Sequence, residues 1–198
     1  RDVCVDYGIA FRSRSIPWKL DRRSRSARAY GVKDEIQLTD EFLEFLGWFI
    51  AEGHYAGSAV RLNFAMHERH VAERLAMIVR DVFSKDLSPK IFETNGNGGR
   101  SLRLEFGSIL VSRLLEKLVG RGSRNKHLPP FFTALRVQKL RVLVDAHFKG
   151  DAGATISRRL ARELYLARLL CGSKPKFKLT HRGECHLIDE VKTQRSWV

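Results

Sequence analysis

Two stretches of the chain match at a constant offset, FLGWFIAEG at residues 45–53 and VDAHFKGDA at residues 144–152. In each, two small residues lie four apart, Gly47 with Ala51 and Ala146 with Gly150, so a helix built from either carries one bare stripe. Two such helices can approach until their backbones touch, because nothing larger than a methyl group stands between them. Immediately beyond each stripe comes one carboxylate, Glu52 in the first and Asp151 in the second. Packing the stripes together therefore brings both acids to one end of a shared interface.

Two anions a few ångströms apart repel, and one keeps its proton unless cations lie between them. Carboxylates joined by backbone carbonyls make an oxygen-rich site that suits magnesium, an ion that retains waters and binds substrate phosphates. In two-metal phosphodiester hydrolysis one ion activates the attacking water and the other stabilises the leaving oxygen. The plainer alternative makes Glu52 and Asp151 ordinary helix-terminal residues, but anions at that end oppose the helix dipole.

Charge points to the same partner. With 36 Lys and Arg against 22 Asp and Glu, the net charge is +14, which suits a polyanion whose condensed counterions are released on binding. The basic residues are scattered through strands and loops, which disfavours a membrane surface. No apolar run reaches the ~20 residues of a membrane span, and no signal peptide is recognisable. Cys4, Cys171 and Cys185 lack any C-x-x-C spacing, so free thiols in a reducing cytoplasm are expected. His67 and His70, or Cys185 with His186, lack the second half of a zinc site.

Along the chain, residues 11–28 form an Arg- and Ser-rich arm whose Arg22, Arg23 and Arg25 are candidates for phosphate contact. Thr39 caps a helix, apolar around most of its circumference, that ends at Glu52-Gly53. SAVRLNF at 58–64 alternates as a half-buried strand, and 68–83 is an amphipathic helix. PKIFET, NGNGG and RSLRLEF read as a hairpin with Leu102, Leu104 and Phe106 inward, followed by a helix stopped at Gly120. Thr133 is the expected cap of the helix that ends at Gly150-Asp151, Ser157 that of the next, and a hairpin around 181–183 closes the pattern. Within the second motif Asp145 and Lys149 are spaced to pair at i, i+4. The order is mixed α/β with antiparallel sheet.

The first motif closely resembles the LAGLIDADG signature of homing endonucleases, in the form of intein-borne and archaeal intron-encoded members with an acidic residue before the final glycine. KHLPPFF at 126–132 resembles the Lys-x-Ile-Pro block between that family's motifs, and TISRRLARELYLARLLCG resembles the helix after the second. The match spans roughly residues 36–173. The resemblance implies a two-motif, pseudo-symmetric monomer. After a basic arm at 1–35, its tandem αββαββα halves, 36–132 and 133–198, would carry saddle-shaped antiparallel sheets into the major groove of double-stranded DNA.

It further implies site-specific double-strand DNA cleavage with magnesium, which manganese or another divalent cation can replace. Glu52 and Asp151 would be the metal-binding catalytic acids, the carbonyls of Ala51 and Gly150 additional ligands, and Lys126 the basic residue at the attacking water. Outward strand residues Arg61, Asn63, Arg103, Lys176 and Lys178 are expected to meet bases or phosphates, and the two lysines are also candidates for a second catalytic lysine. The second motif departs from the pattern at Ala152 and carries Asp145, His147 and Lys149 where the first has Leu46, Trp48 and Ile50. Only residues 152–156 separate Asp151 from the next helix, too few for a hairpin, so the second half is expected to be degenerate or to lack residues there. The competing reading is a cleavage-inactive nucleic-acid-binding protein of the same fold, a splicing maturase or a DNA-binding regulator. A scaffold for acidic proteins would explain the charge but not the stripes.

Overall fold

Helix α1 (Asp40–Glu52) begins where the Thr39 hydroxyl accepts the Phe42 amide hydrogen at 3.2 Å. Its residues from Phe45 to Ile50 are all buried, as a helix apolar on every side requires. The computed structural model describes residues 36–96, 99–179 and 185–189. The basic arm with Arg22, Arg23 and Arg25 lies outside them.

From α1 the chain passes directly into β1 (Gly53–Ala56) and β2 (Ala59–Ala65). After a short 3-10 turn come α2 (Arg69–Val82), β3 (Lys90–Gly96), β4 (Gly99–Gly107) and α3 (Ile109–Val119). The four strands form one antiparallel sheet in the order β1-β2-β4-β3. Alternation sorts its faces as expected: Val60, Leu62, Phe64, Leu102, Leu104 and Phe106 are buried beneath α1 and α2, and the intervening residues face away.

The second half holds α4 (Val137–Asp151), the two-residue strand β5 (Ala154–Thr155), α5 (Arg158–Leu170), β6 (Pro175–Leu179) and β7 (Cys185–Asp189). Its antiparallel sheet runs β5-β7-β6. The short connection after α4 thus contributes one strand where the first half has two. Among the described residues the halves read α1-β1-β2-α2-β3-β4-α3 and α4-β5-α5-β6-β7.

Two local expectations are corrected. Thr133 does not cap α4: it lies inside a 3-10 turn (Phe132–Ala134), and the helix starts at Val137 after an Arg136 N-cap that makes no side-chain bond. Burial of Phe131 and Phe132 in the core holds this segment in its short turn. Asp145 pairs with Arg168 of α5 at 2.9 Å, not with Lys149. The Arg168 guanidinium lies 4.0 Å over the Phe148 ring, and this stacking presents it to the carboxylate.

The two motif helices form the centre of the molecule. A Cβ placed on Gly47 would lie 2.3 Å from the Leu143 carbonyl oxygen and 2.6 Å from the Ala146 Cβ, and one on Gly150 would lie 2.7 Å from the Ala51 Cβ. At Gly47 the partner is backbone and at Gly150 it is a methyl group, the close approach that the two stripes allow. Cys171 is a buried free thiol. Among the described residues no helix is long and apolar enough to cross a membrane.

Candidate active site

Because the stripes pack face to face, the C-terminal ends of α1 and α4 lie together and bring Glu52 and Asp151 within electrostatic reach. Burial raises the Glu52 carboxyl to about 7, and the charges of Asp151 and Glu68 push in the same direction against Lys126. Lys126, on the loop before α4, completes the cluster. Burial lowers its ammonium to about 8, while Asp151 and Glu52 pull the other way. A cavity of about 350 Å³ opens at this point, lined by Ala51, Ser123, Lys126, Asp151 and Ile156 among others, and Glu52 is not part of its wall.

The Lys126 Nζ donates to three carbonyls of the last turn of α1: Ile50 at 2.5 Å, Ala51 at 3.2 Å and Phe49 at 3.3 Å. The cation therefore satisfies the helix end that carries Glu52, supplying the compensation the helix dipole demands. The Ala51 carbonyl, expected as a metal ligand, already accepts one of these bonds.

Lys126 is held from α5. Buried Ser157 accepts the Leu160 amide hydrogen at 3.2 Å as the helix cap, and its hydroxyl donates to the Lys126 carbonyl at 2.7 Å. Glu163 accepts from the Leu128 amide at 2.6 Å. The capping role was legible in sequence; the second bond was not. Ser157→Ala is expected to cost about 2 kcal/mol, a lost cap plus an unpaired carbonyl. Denaturant unfolding measures it, and a change under about 0.5 kcal/mol, the range of an inconsequential surface substitution, would detach Ser157 from the support of Lys126.

His147 on α4 is fully buried, with no hydrogen-bond partner at either ring nitrogen among the described residues. Burial, with Lys126 and Arg168 nearby, lowers it to about 3, so the imidazole is neutral. The sequence marked it only as a departure from the repeat.

The outward face of the first sheet adjoins this cluster. His54, just past Glu52, is lowered by partial desolvation and by Arg61, Arg103 and Lys126, which ties the sheet face to the carboxylate end. Arg61 is not free there, since its Nε donates to Glu105 at 2.7 Å. Arg103 is different: its Nε is buried without a partner among the described residues. Asn63 sits opposite Arg103 in register. Lys176 is exposed on β6, and Lys178 takes the register position opposite His186.

This mixed α/β arrangement, with an antiparallel sheet after each of the two paired helices, is the fold of the LAGLIDADG homing endonucleases. Among solved structures it is similar to variants of the homing endonuclease I-DmoI, with a TM-score of 0.58 and 12% identity over 80% of this chain and 93% of that one. I-DmoI in complex with DNA and manganese gives 0.55 and 13% over 82% and 96%. No family model matches the sequence. An uncharacterized protein of Methanocaldococcus jannaschii is 24% identical over 149 residues, 71% of this chain. The DNA polymerase II large subunit of Thermococcus kodakarensis is 28% identical over 117 residues, 57% of this chain. The chain spans only 18% and 6% of the lengths of these relatives.

Proposed function

We propose that the chain is a site-specific, metal-dependent double-strand DNA endonuclease, a two-motif monomer of intron or intein origin as the form of its first motif implies. One observation carries the reading: the packed glycine and alanine stripes gather Glu52, Asp151 and Lys126 at one point beside a basic sheet face. The donor set suits magnesium. Among the described residues no three His, Cys, Asp or Glu side chains cluster as a metal cage, so the hard ion would rest on two carboxylates and on carbonyls of Ala51 and Gly150. Substrate phosphate would complete its shell. A bound divalent cation supplies positive charge to the phosphodiester and favours the ionised form of Glu52, which burial and the neighbouring anions disfavour. I-DmoI, of the same fold, has been crystallised with DNA and manganese, which supports both partners.

The chain's own residues do the rest. Arg103 and Asn63 present donors and acceptors to a major groove, with exposed Lys176 adding donors from the second sheet. Lys126 must release at least one of its three carbonyl partners to reach a phosphate oxygen or an attacking water. Its engagement with those carbonyls favours, as the second reading, a nucleic-acid-binding protein that does not cleave.

The test is a plasmid carrying a candidate site, incubated with magnesium. Linearisation by the wild type is expected, with Lys126→Met slowing it by about 100-fold or more, the usual weight of a positioned acid–base group. Binding by Lys126→Met should persist in a gel-shift assay. Binding without cleavage by the wild type under any divalent ion would install the second reading.

A further inference from the structure

The outward face of the first sheet carries polar or small residues row by row, with one exception. His54, Arg61, Glu105 and Lys90 form one row across the four strands, and Ala65, Ser101 and Thr94 another, in which the Thr94 and Ser101 hydroxyls bond at 2.8 Å. Between them runs the row Asn63, Arg103, Phe92. Phe92 is 45% exposed, and among the described residues it is the only large apolar side chain on that face.

Nearly half of this aromatic residue's surface is left free to meet a ligand, beside an arginine whose Nε has no partner among the described residues. Its neighbour Ile91, on the opposite face, packs against the core, so β3 does not need Phe92 for anchorage. Strands lie about 4.8 Å apart, and the row from Asn63 to Phe92 thus spans about 10 Å, close to three base steps of about 3.4 Å. In the major groove the apolar group that a base presents is the thymine C5 methyl, which a phenylalanine can cover. Arginine and asparagine beside it match guanine and adenine edges.

We infer that Phe92 determines specificity by packing on a thymine methyl group, next to the base pair that Arg103 addresses. The inference rests on the DNA-cleavage reading and adds a residue to it. Unlike Arg103 or Asn63, Phe92 offers no hydrogen bond, so replacing thymine with uracil, which removes only the methyl, isolates its contribution.

The experiment selects bound duplexes from a random pool with the wild type in calcium. Uracil is then substituted for each thymine of the selected site in turn, and affinities of the wild type and Phe92→Ala are compared. At one position the wild type is expected to lose about four-fold on uracil, the weight of one buried methyl group. Phe92→Ala should bind thymine and uracil equally there, and a melting temperature within about 5 °C of the wild type's shows that the sheet stays folded. If the wild type is insensitive to uracil everywhere, or Phe92→Ala keeps the same sensitivity, the assignment is overturned while the DNA reading stands. If the wild type enriches no duplex, the DNA reading itself fails, and this inference with it.

Discussion

Glu52→Gln is expected to abolish cleavage while making the metal-free protein more heat-stable at neutral pH. Loss of a carboxylate that holds a catalytic cation removes several kcal/mol of transition-state stabilisation, a rate loss of about 1,000-fold or more. The stability gain follows from the raised carboxyl. In the unfolded chain Glu52 ionises near its ordinary value of 4.5, whereas in the fold it holds its proton up to about 7. Between those values the folded state binds more protons, so its stability falls as pH rises. Glutamine has the same shape and no charge, so it escapes that loss. The attraction to Lys126 does not reverse the sign, because the net displacement of Glu52 is upward even with Lys126 present.

Allowing for the solvent screening of a half-buried group, the gain above pH 7 is about 1–2 kcal/mol, or roughly 3–6 °C for a chain of this size. Thermal melts in a chelator at pH 4.5 and pH 8 check it. The two proteins should coincide at the lower pH, and the variant should melt higher at the upper one. Magnesium should stabilise the wild type and leave the variant unmoved. A variant that melts lower at pH 8 would mean that Glu52 is held by a favourable partner, not crowded by a second anion.

Features coded by neighbours in the chain are legible in the sequence itself. Thr39 and Ser157 announce their helices through cap chemistry three residues deep, the alternation at 58–64 and 101–106 fixes which face is buried, and the two stripes predict their own contact. What escaped is set by partners distant in the chain. Arg61 looks like a free reader until Glu105, on another strand, takes its Nε. Asp145 lies one helical turn from Lys149 but meets Arg168 from α5. Lys126 was assigned through resemblance, yet nothing local shows that its ammonium closes the end of α1 or that Ser157 fixes its carbonyl. His147 carries the same lesson, since a polar residue adjoining a bare stripe gives no local sign that packing will bury it completely. Phe92 gives no local signal, because PKIFET does not alternate apolar with polar residues and its faces are set only by pairing with β4.

The interface supplies the second large effect. Gly47→Ala is expected to cost about 2–3 kcal/mol, although alanine is the better helix former by about 1 kcal/mol. Its new methyl would meet a backbone oxygen, that of Leu143, at 2.3 Å, and a backbone atom cannot turn aside as a side chain can. The helices must separate, carrying Glu52 away from Asp151. A shift of about 1 Å at reacting groups costs about 100-fold in rate, so cleavage should fall by that factor while DNA binding by the remote Arg103 row persists. Gly150→Ala separates steric causes: its closest contact is the Ala51 methyl at 2.7 Å, so adding Ala51→Gly should restore most of the loss. Ala146→Gly should restore little to Gly47→Ala, because the Leu143 oxygen remains. Gly107→Ala, with nothing within 4 Å, is the control and should stay within about 0.5 kcal/mol of the wild type. Urea unfolding of the six proteins decides it. If Gly47→Ala melts like the control, α1 and α4 do not pack backbone to backbone, and the proximity of the two acids loses its cause.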